Sequence, residues 1–349
     1  MPKPCIALEP VMTSTADQLR CFLCGTQDII QLWEGSDKKF RGPGRFTYMK
    51  CSACELVFLH PRPTDTEMTQ YYPDHLTLVR RDASASFWEK TRQYVKHAVA
   101  EDWYGYASRP PALPQWPSAW LRKTLTLPLR PLLCQLPRQR PGGRVLDIGC
   151  GSGGYLAFLA SLGWICFGIE PGPKSRAYAQ KVLGLSVHQG PLESCRFPDS
   201  FFDVVTMWHV IEHLPDPLGT LHEIRRILKP DGVVMLRTPN VKSWEARLFR
   251  GNWYGLDPPR HLFVAAPGTI RSMLERSGFV MTRLWYQYHP VDCSRSLLYV
   301  FEDGGFSHAH RFVARWIRAI ELGLTACSPL RRVFGQGGAM HVEACKALS

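Results

Sequence analysis

The chain has 349 residues, 45% of them apolar, and a formal net charge of +12. That length holds one large domain and a small one, and the composition excludes a disordered or fibrous chain. No apolar run reaches the roughly eighteen residues of a transmembrane helix, and Met1–Pro10 lacks the basic-then-apolar pattern of a secretory signal. The twelve cysteines are therefore expected in a reducing, cytoplasmic setting, as metal ligands or packing residues rather than disulfides.

Two pairs, Cys21-Phe-Leu-Cys24 and Cys51-Ser-Ala-Cys54, are separated by twenty-six residues. Between them Ile29–Trp33 and Phe46–Met49 read as strands and Gly35–Gly44 as a turn, with Glu55–His60 a further strand stopped by Pro61-Arg62-Pro63. Two Cys-x-x-Cys knuckles at hairpin spacing predict one structural zinc on Cys21, Cys24, Cys51 and Cys54, in a zinc-ribbon-like domain over 1–64. A metal suits a unit whose apolar core is small.

Residues 65–140 read as a connector. Asp65–Asp102 is mostly helical in pattern, whereas Ser108–Gly143 holds eight prolines and admits only a short helix at Ala119–Leu127. From Trp103 to Leu146 there is no Asp or Glu, but there are seven Arg and Lys residues. A solvated basic linker is expected, with contact to an anionic surface or substrate as the alternative.

From 141 to 349 strand and helix alternate, which predicts a mostly parallel sheet. Strands are expected at Arg144–Ile148, Ile165–Ile169, Ser186–His188, Asp203–Met207, Val233–Arg237, Val280–Tyr286 and Met340–Ala344. Helices are expected at Gly154–Ser161, Lys174–Leu183, Pro217–Leu228 and Pro267–Ser277. The first strand runs into Val145-Leu-Asp-Ile-Gly-Cys-Gly-Ser-Gly-Gly154, where glycines let the chain turn sharply and a ligand approach. Gly149, Gly151 and Gly154 fit a dinucleotide fingerprint, while Asp147, Gly149, Gly151 and Gly153 fit the D-x-G-x-G-x-G loop of S-adenosylmethionine (SAM) enzymes. Glu170 ends the second strand, about where a ribose-binding carboxylate belongs.

Phe202–Pro217, Leu221–Gly232 and Val233–Asn240 decide between these readings. They resemble the fourth strand, following helix and fifth strand of class I SAM-dependent methyltransferases, in particular the broad group that includes the ubiquinone-type O-methyltransferases. The resemblance runs through about Arg144–Phe279. It implies an α/β, Rossmann-like seven-stranded sheet with helices on both faces and the last strand antiparallel beside the fifth. It also implies SAM bound at Asp147, Gly149, Gly151, Gly153 and Glu170, with Glu193 near the adenine and Trp208 stacked near the adenosine.

His209-Val-Ile-Glu-His213 follows the fourth strand, and His209, Glu212 and His213 share one side if the chain turns helical there. In the resembling enzymes the matching acids and histidine can hold a divalent metal, but Glu stands at the place of His209. A general base, His209 or His213, is the first expectation, structural hydrogen bonding the second and a metal the third. His261 is an alternative base, and Arg260 a candidate for an anionic substrate group, both in the 240–266 insertion. A second insertion, 287–338, carries a basic amphipathic helix at Arg311–Leu324, suited to a membrane surface or to packing on its own domain. The expected activity is methyl transfer to a small-molecule or lipid- or sugar-linked acceptor, at oxygen. Sugar C-methylation is the alternative. RNA methylation is less favoured, because the basic charge lies in the linker rather than in an aromatic-interleaved patch.

Overall fold

The first strands described are β1 (Ile29–Ser36), β2 (Arg45–Cys51) and β3 (Val57–His60), an antiparallel run that matches the expected ribbon. The structure, a computed structural model, describes residues 19–72, 87–106, 119–127, 135–288, 290–326 and 337–347. Three helices follow: α1 (Asp65–Thr69), α2 (Phe87–Tyr104) and α3 (Ala119–Thr126). Thr64 and Glu67 close a reciprocal capping box on α1. Half of the proline-rich connector, including Arg109 and Arg130, lies outside the described residues. Of the basic run, Arg122 pairs with Glu101 and Asp102, and Arg140 with Asp203 and Asp231. Those two charges are committed to acids of the protein itself.

The large sheet is built from β4 (Arg144–Ile148), β5 (Ile165–Ile169), β6 (Ser186–His188), β7 (Phe202–Trp208), β8 (Leu228–Pro239), β10 (Phe279–Gln287) and β11 (Ala339–Lys346), with β9 (Phe263–Val264) standing apart. Its order is β10-β11-β8-β7-β4-β5-β6. The five strands from β6 to β8 run parallel, and β11 is antiparallel to both β8 and β10, as expected. β7 is buried at every position but Trp208, as a central parallel strand covered on both faces must be. The edge strand β10 is buried only at Phe279.

Helices α4 (Gly154–Ser161), α5 (Pro173–Lys181), α6 (Pro217–Ile227), α7 (Trp244–Phe249), α8 (Pro267–Arg276), α9 (Pro290–Asp303) and α10 (Ser307–Ala326) complete the chain. Leu156, Leu159 and Ala179 of α4 and α5 pack with Val145 and Val204 in one apolar cluster. Leu221, Ile224, Ile270 and Met273 of α6 and α8 pack with Val205 and Met207 in another. Alternate residues of the strands thus feed two helical layers. No helix among the described residues is long and apolar enough to cross a membrane.

The ribbon is tied into this body by backbone pairing. β9, from the 240–266 insertion, pairs with β3 through Val57↔Val264 and Phe58↔Phe263 and completes a four-stranded sheet. The buried Tyr48 hydroxyl donates toward the carbonyls of Leu256 and His261, at 2.8 and 2.9 Å, and the Thr269 hydroxyl donates to the Cys54 carbonyl. The ribbon therefore holds the insertion over the carboxyl edge of the large sheet, where ligands bind in open α/β sheets.

Candidate active site

All the polar groups singled out in the catalytic region emerge at that carboxyl edge. After β4 the chain turns at Gly149, Gly151 and Gly153, each with φ near the left-handed region at 73°, 57° and 79°. A Cβ on Gly149 would fall 2.6 Å from Val210 Cγ2, so the loop can lie against the turn after β7 only with glycine there. A Cβ on Gly151 would meet nothing within 4 Å, which leaves room over the loop for a ligand. Glu170 ends β5, and its carboxylate accepts the Gly151 N–H at 2.8 Å and the Gly172 N–H at 2.7 Å. Those bonds lock the acid's position and still leave lone pairs for a diol. Asp147 is buried and accepts the Thr206 hydroxyl at 2.6 Å. Burial pushes its carboxyl up to about 7; the Thr206 bond opposes this and the nearby Glu170 charge adds to it.

His209 leaves β7 with φ 58°, an uncommon conformation for a non-glycine residue. Its Nδ1 lies 3.0 Å from Glu212 Oε1, while the side chain stays 38% exposed. Glu212 is fully buried. Burial would raise its pKa, but the His209 hydrogen bond and the neighbouring imidazoles hold it below the usual carboxylate range. The segment Ile211–His213 is a 3-10 turn rather than an α-helix, and Glu212 meets His209 while also clustering with His213 and His261. His213 Nδ1 is 2.8 Å from the Arg260 carbonyl and 3.2 Å from the Tyr72 hydroxyl. His261 Nδ1 is 2.8 Å from the Gly255 carbonyl, and its Nε2 is 4.0 Å from Glu212 Oε1. Carbonyls only accept, so Nδ1 carries the proton in both rings. Burial lowers the pKa of His213 and takes that of His261 down to about 4, leaving both neutral at physiological pH.

The sequence that builds this edge has counterparts among known proteins. The methyltransferase-domain family matches residues 120–284. A ubiquinone biosynthesis O-methyltransferase of Cereibacter sphaeroides is 33% identical over 180 residues, which cover 48% of this chain and 72% of that protein. The chain belongs to the class I SAM-dependent methyltransferases. The proteins of the same name from Haemophilus ducreyi and Yersinia enterocolitica are 37% and 34% identical over 109 and 128 residues, or 28% and 33% of this chain. This methyltransferase spans about half the length of those two, 46% and 53%.

Of the remaining expected site residues, Trp208 packs edge-on to Tyr155, 5.6 Å between ring centroids, and its buried indole N–H has no hydrogen-bond partner among the described residues. Glu193 sits in a 3-10 turn after β6, exposed, accepting the Thr220 hydroxyl at 3.2 Å. Arg260, read from sequence as a possible anion-binding group, is not available for that. It is 2% exposed and grips Asp37 through two hydrogen bonds of 2.9 and 2.6 Å and Asp257 through two of 3.2 and 2.6 Å.

In the methyltransferase's ribbon, Cys21, Cys24, Cys51 and Cys54 place their sulfurs within 4.8 Å of one another. The Cys21–Cys54 and Cys24–Cys51 separations of 3.5 Å are far too long for a disulfide. They approach the edge of a thiolate tetrahedron around zinc, about 3.8 Å for Zn–S bonds of about 2.3 Å. A second group that can hold a cation among the described residues is Glu212, His213 and His261.

Sequence reasoning missed the clamp acid Asp37, the Tyr72 hydroxyl and two acids beside the site. Glu245 is fully buried, with Ser243 and the Gly338 backbone beside its carboxylate. Burial pushes it up to about 7, and pushes Asp292 up to about 6 against the charges of His209 and Arg237. Only the Asp257–Arg260 spacing was a local signal; the others face their partners across long stretches of chain.

Proposed function

We propose that this chain methylates a hydroxyl of a small-molecule or lipid- or sugar-linked acceptor, with His209 as the general base. The observation that carries this is the His209–Glu212 pair. A buried carboxylate orients one ring nitrogen of a partly exposed imidazole, and the next residue, Val210, lies against Gly149 of the glycine loop. SAM supplies a methyl already activated on a sulfonium, whose leaving group departs neutral. Gly149, Gly151 and Gly153 make room for it, Glu170 receives the ribose hydroxyls, and Asp147 faces its ammonium. Glu193 and Trp208 border the adenosine. Glu212 holds His209 in the tautomer that leaves Nε2 free to take the acceptor's proton. His213 and His261, neutral and anchored on carbonyls, fix the floor beneath Glu212, and the insertion held by the ribbon excludes water from the edge. The four cysteines hold one structural zinc. The name shared by the relatives supports oxygen as the methylated atom.

A second reading is favoured by the Glu212–His213–His261 group, which fits a divalent cation because both Nδ1 protons are turned outward. These residues would hold the ion, which would acidify a hydroxyl bound to it.

The test is methyl transfer from labelled SAM to fractionated small-molecule and lipid-linked extracts, with product mass determined. His209→Gln should lower turnover about 10²–10⁴-fold while calorimetry shows SAM binding near that of the wild type. Full turnover in that variant would overturn the base assignment and move a carbon nucleophile ahead. Turnover lost to EDTA and restored by a divalent ion would favour the second reading.

A further inference from the structure

The helix singled out in the second insertion turns an aromatic and basic face outward. α10 spans Ser307–Ala326, twenty residues or about 30 Å. Its inner side is fixed: Val313 is buried, and Glu321 accepts the Ser294 hydroxyl of α9 at 2.9 Å. Its outer side carries Phe312, 64% exposed, and Trp316, 50% exposed. At about 100° per residue, Phe312, Trp316 and the exposed Ala319 fall within one narrow sector. The exposed Arg311 and Arg315 form the adjoining ridge.

The charge around this face has one sign. From Gly304 to Ile320 the sequence has no Asp or Glu. The two acids just before it are already paired, Glu302 with Arg41 and Asp303 with Lys38. Exposed large aromatics are costly in water, since each such ring buries about 150–250 Å² when covered. Trp and Phe beside Arg is also the residue pairing of helices that lie in the headgroup layer, where rings reach the acyl boundary and guanidinium groups reach phosphates.

We propose that the outer face of α10 docks on an anionic lipid bilayer, the helix lying parallel to the surface. The complementarity is electrostatic as well as apolar, which a neutral protein groove would not require. α9 and α10 rise from the end of β10 and return at the start of β11, whose Ala339 faces Pro239 at the carboxyl edge of β8. This surface stands independently of the hydroxyl-methylation reading, because its test needs no turnover.

The experiment is flotation of the full chain with vesicles of phosphatidylcholine alone and of equal parts phosphatidylcholine and phosphatidylglycerol. Binding is expected to the anionic vesicles only, weakening as salt is raised. Arg311→Gln with Arg315→Gln should lower the partition coefficient about 25-fold, about fivefold for each basic residue near an anionic surface. Phe312→Ser with Trp316→Ser should lower it by about tenfold or more, with SAM binding by calorimetry reporting that the fold is intact. The proposal is overturned if the wild type does not float with anionic vesicles at low salt, or if either double variant floats undiminished. A concentration-dependent dimer abolished by Phe312→Ser and Trp316→Ser would overturn it in favour of a second copy on this face.

Discussion

Replacing Asp37 by Ala should unfold the clamp that holds the insertion over the candidate site. Asp37 and Arg260 are 3% and 2% exposed and meet through two hydrogen bonds of 2.9 and 2.6 Å. Asp37 also accepts the Phe40 and Gly42 N–H groups. Removing one member of a buried pair costs about 3–5 kcal/mol, because the other charge is left without compensation. Asp257 stays on the guanidinium, so the low end, about 3 kcal/mol, is the expected loss. At ~2–4 °C per kcal/mol this lowers Tm by about 6–12 °C. The assay is urea and thermal unfolding, with limited proteolysis across residues 37–44 and 250–262. Turnover should fall more than SAM affinity, since Arg260 adjoins His261 while the glycine loop lies elsewhere. The double variant Asp37→Leu with Arg260→Met should lose less than the sum of its singles, because no charge is stranded. Asp37→Ala within about 0.5 kcal/mol of wild type would refute the reasoning, since that is the cost of an exposed pair.

Three further outcomes are expected. Glu170→Ala should weaken SAM binding by about 1–3 kcal/mol in calorimetry, since the Gly151 and Gly172 N–H groups lose their acceptor together with the carboxylate proposed for the ribose hydroxyls. Metal analysis should find about one zinc per chain, and Cys51→Ser should abolish it and expose the ribbon to protease. His261 is neutral in the fold, with its pKa near 4 against an ordinary 6.5, so the unfolded chain takes up its proton first on acidification. Its contribution is complete above pH 6.5 and is lost as pH falls toward 4, by up to about 3 kcal/mol. The stability difference between wild type and His261→Gln, measured by urea unfolding at pH 7 and pH 5, should therefore shift against the wild type as pH drops; a constant difference would refute it.

The sequence determined much of this protein through short-range rules. The glycine loop, the apolar parallel strands and the two Cys-x-x-Cys knuckles each follow from backbone sterics, burial period or ligand spacing within a few residues. Strand ends therefore fell within about five residues of those observed, Glu170 falls just after β5 as its spacing required, and the four cysteines that come together were named from their spacing. Tertiary structure alone decided what the polar groups do. Arg260 read as an anion site and is spent on Asp37, more than two hundred residues away. His209, Glu212 and His213 had helical spacing, yet the turn after β7 is 3-10, so only His209 faces outward while His213 joins His261 from another element. The amphipathic pattern of α10 showed an apolar stripe with Phe312 and Trp316 in it but not that these two would face solvent while Val313 is buried. Hydrogen bonds and ion pairs between distant segments depend on which elements the sheet order brings together, and local periodicity carries no record of that order.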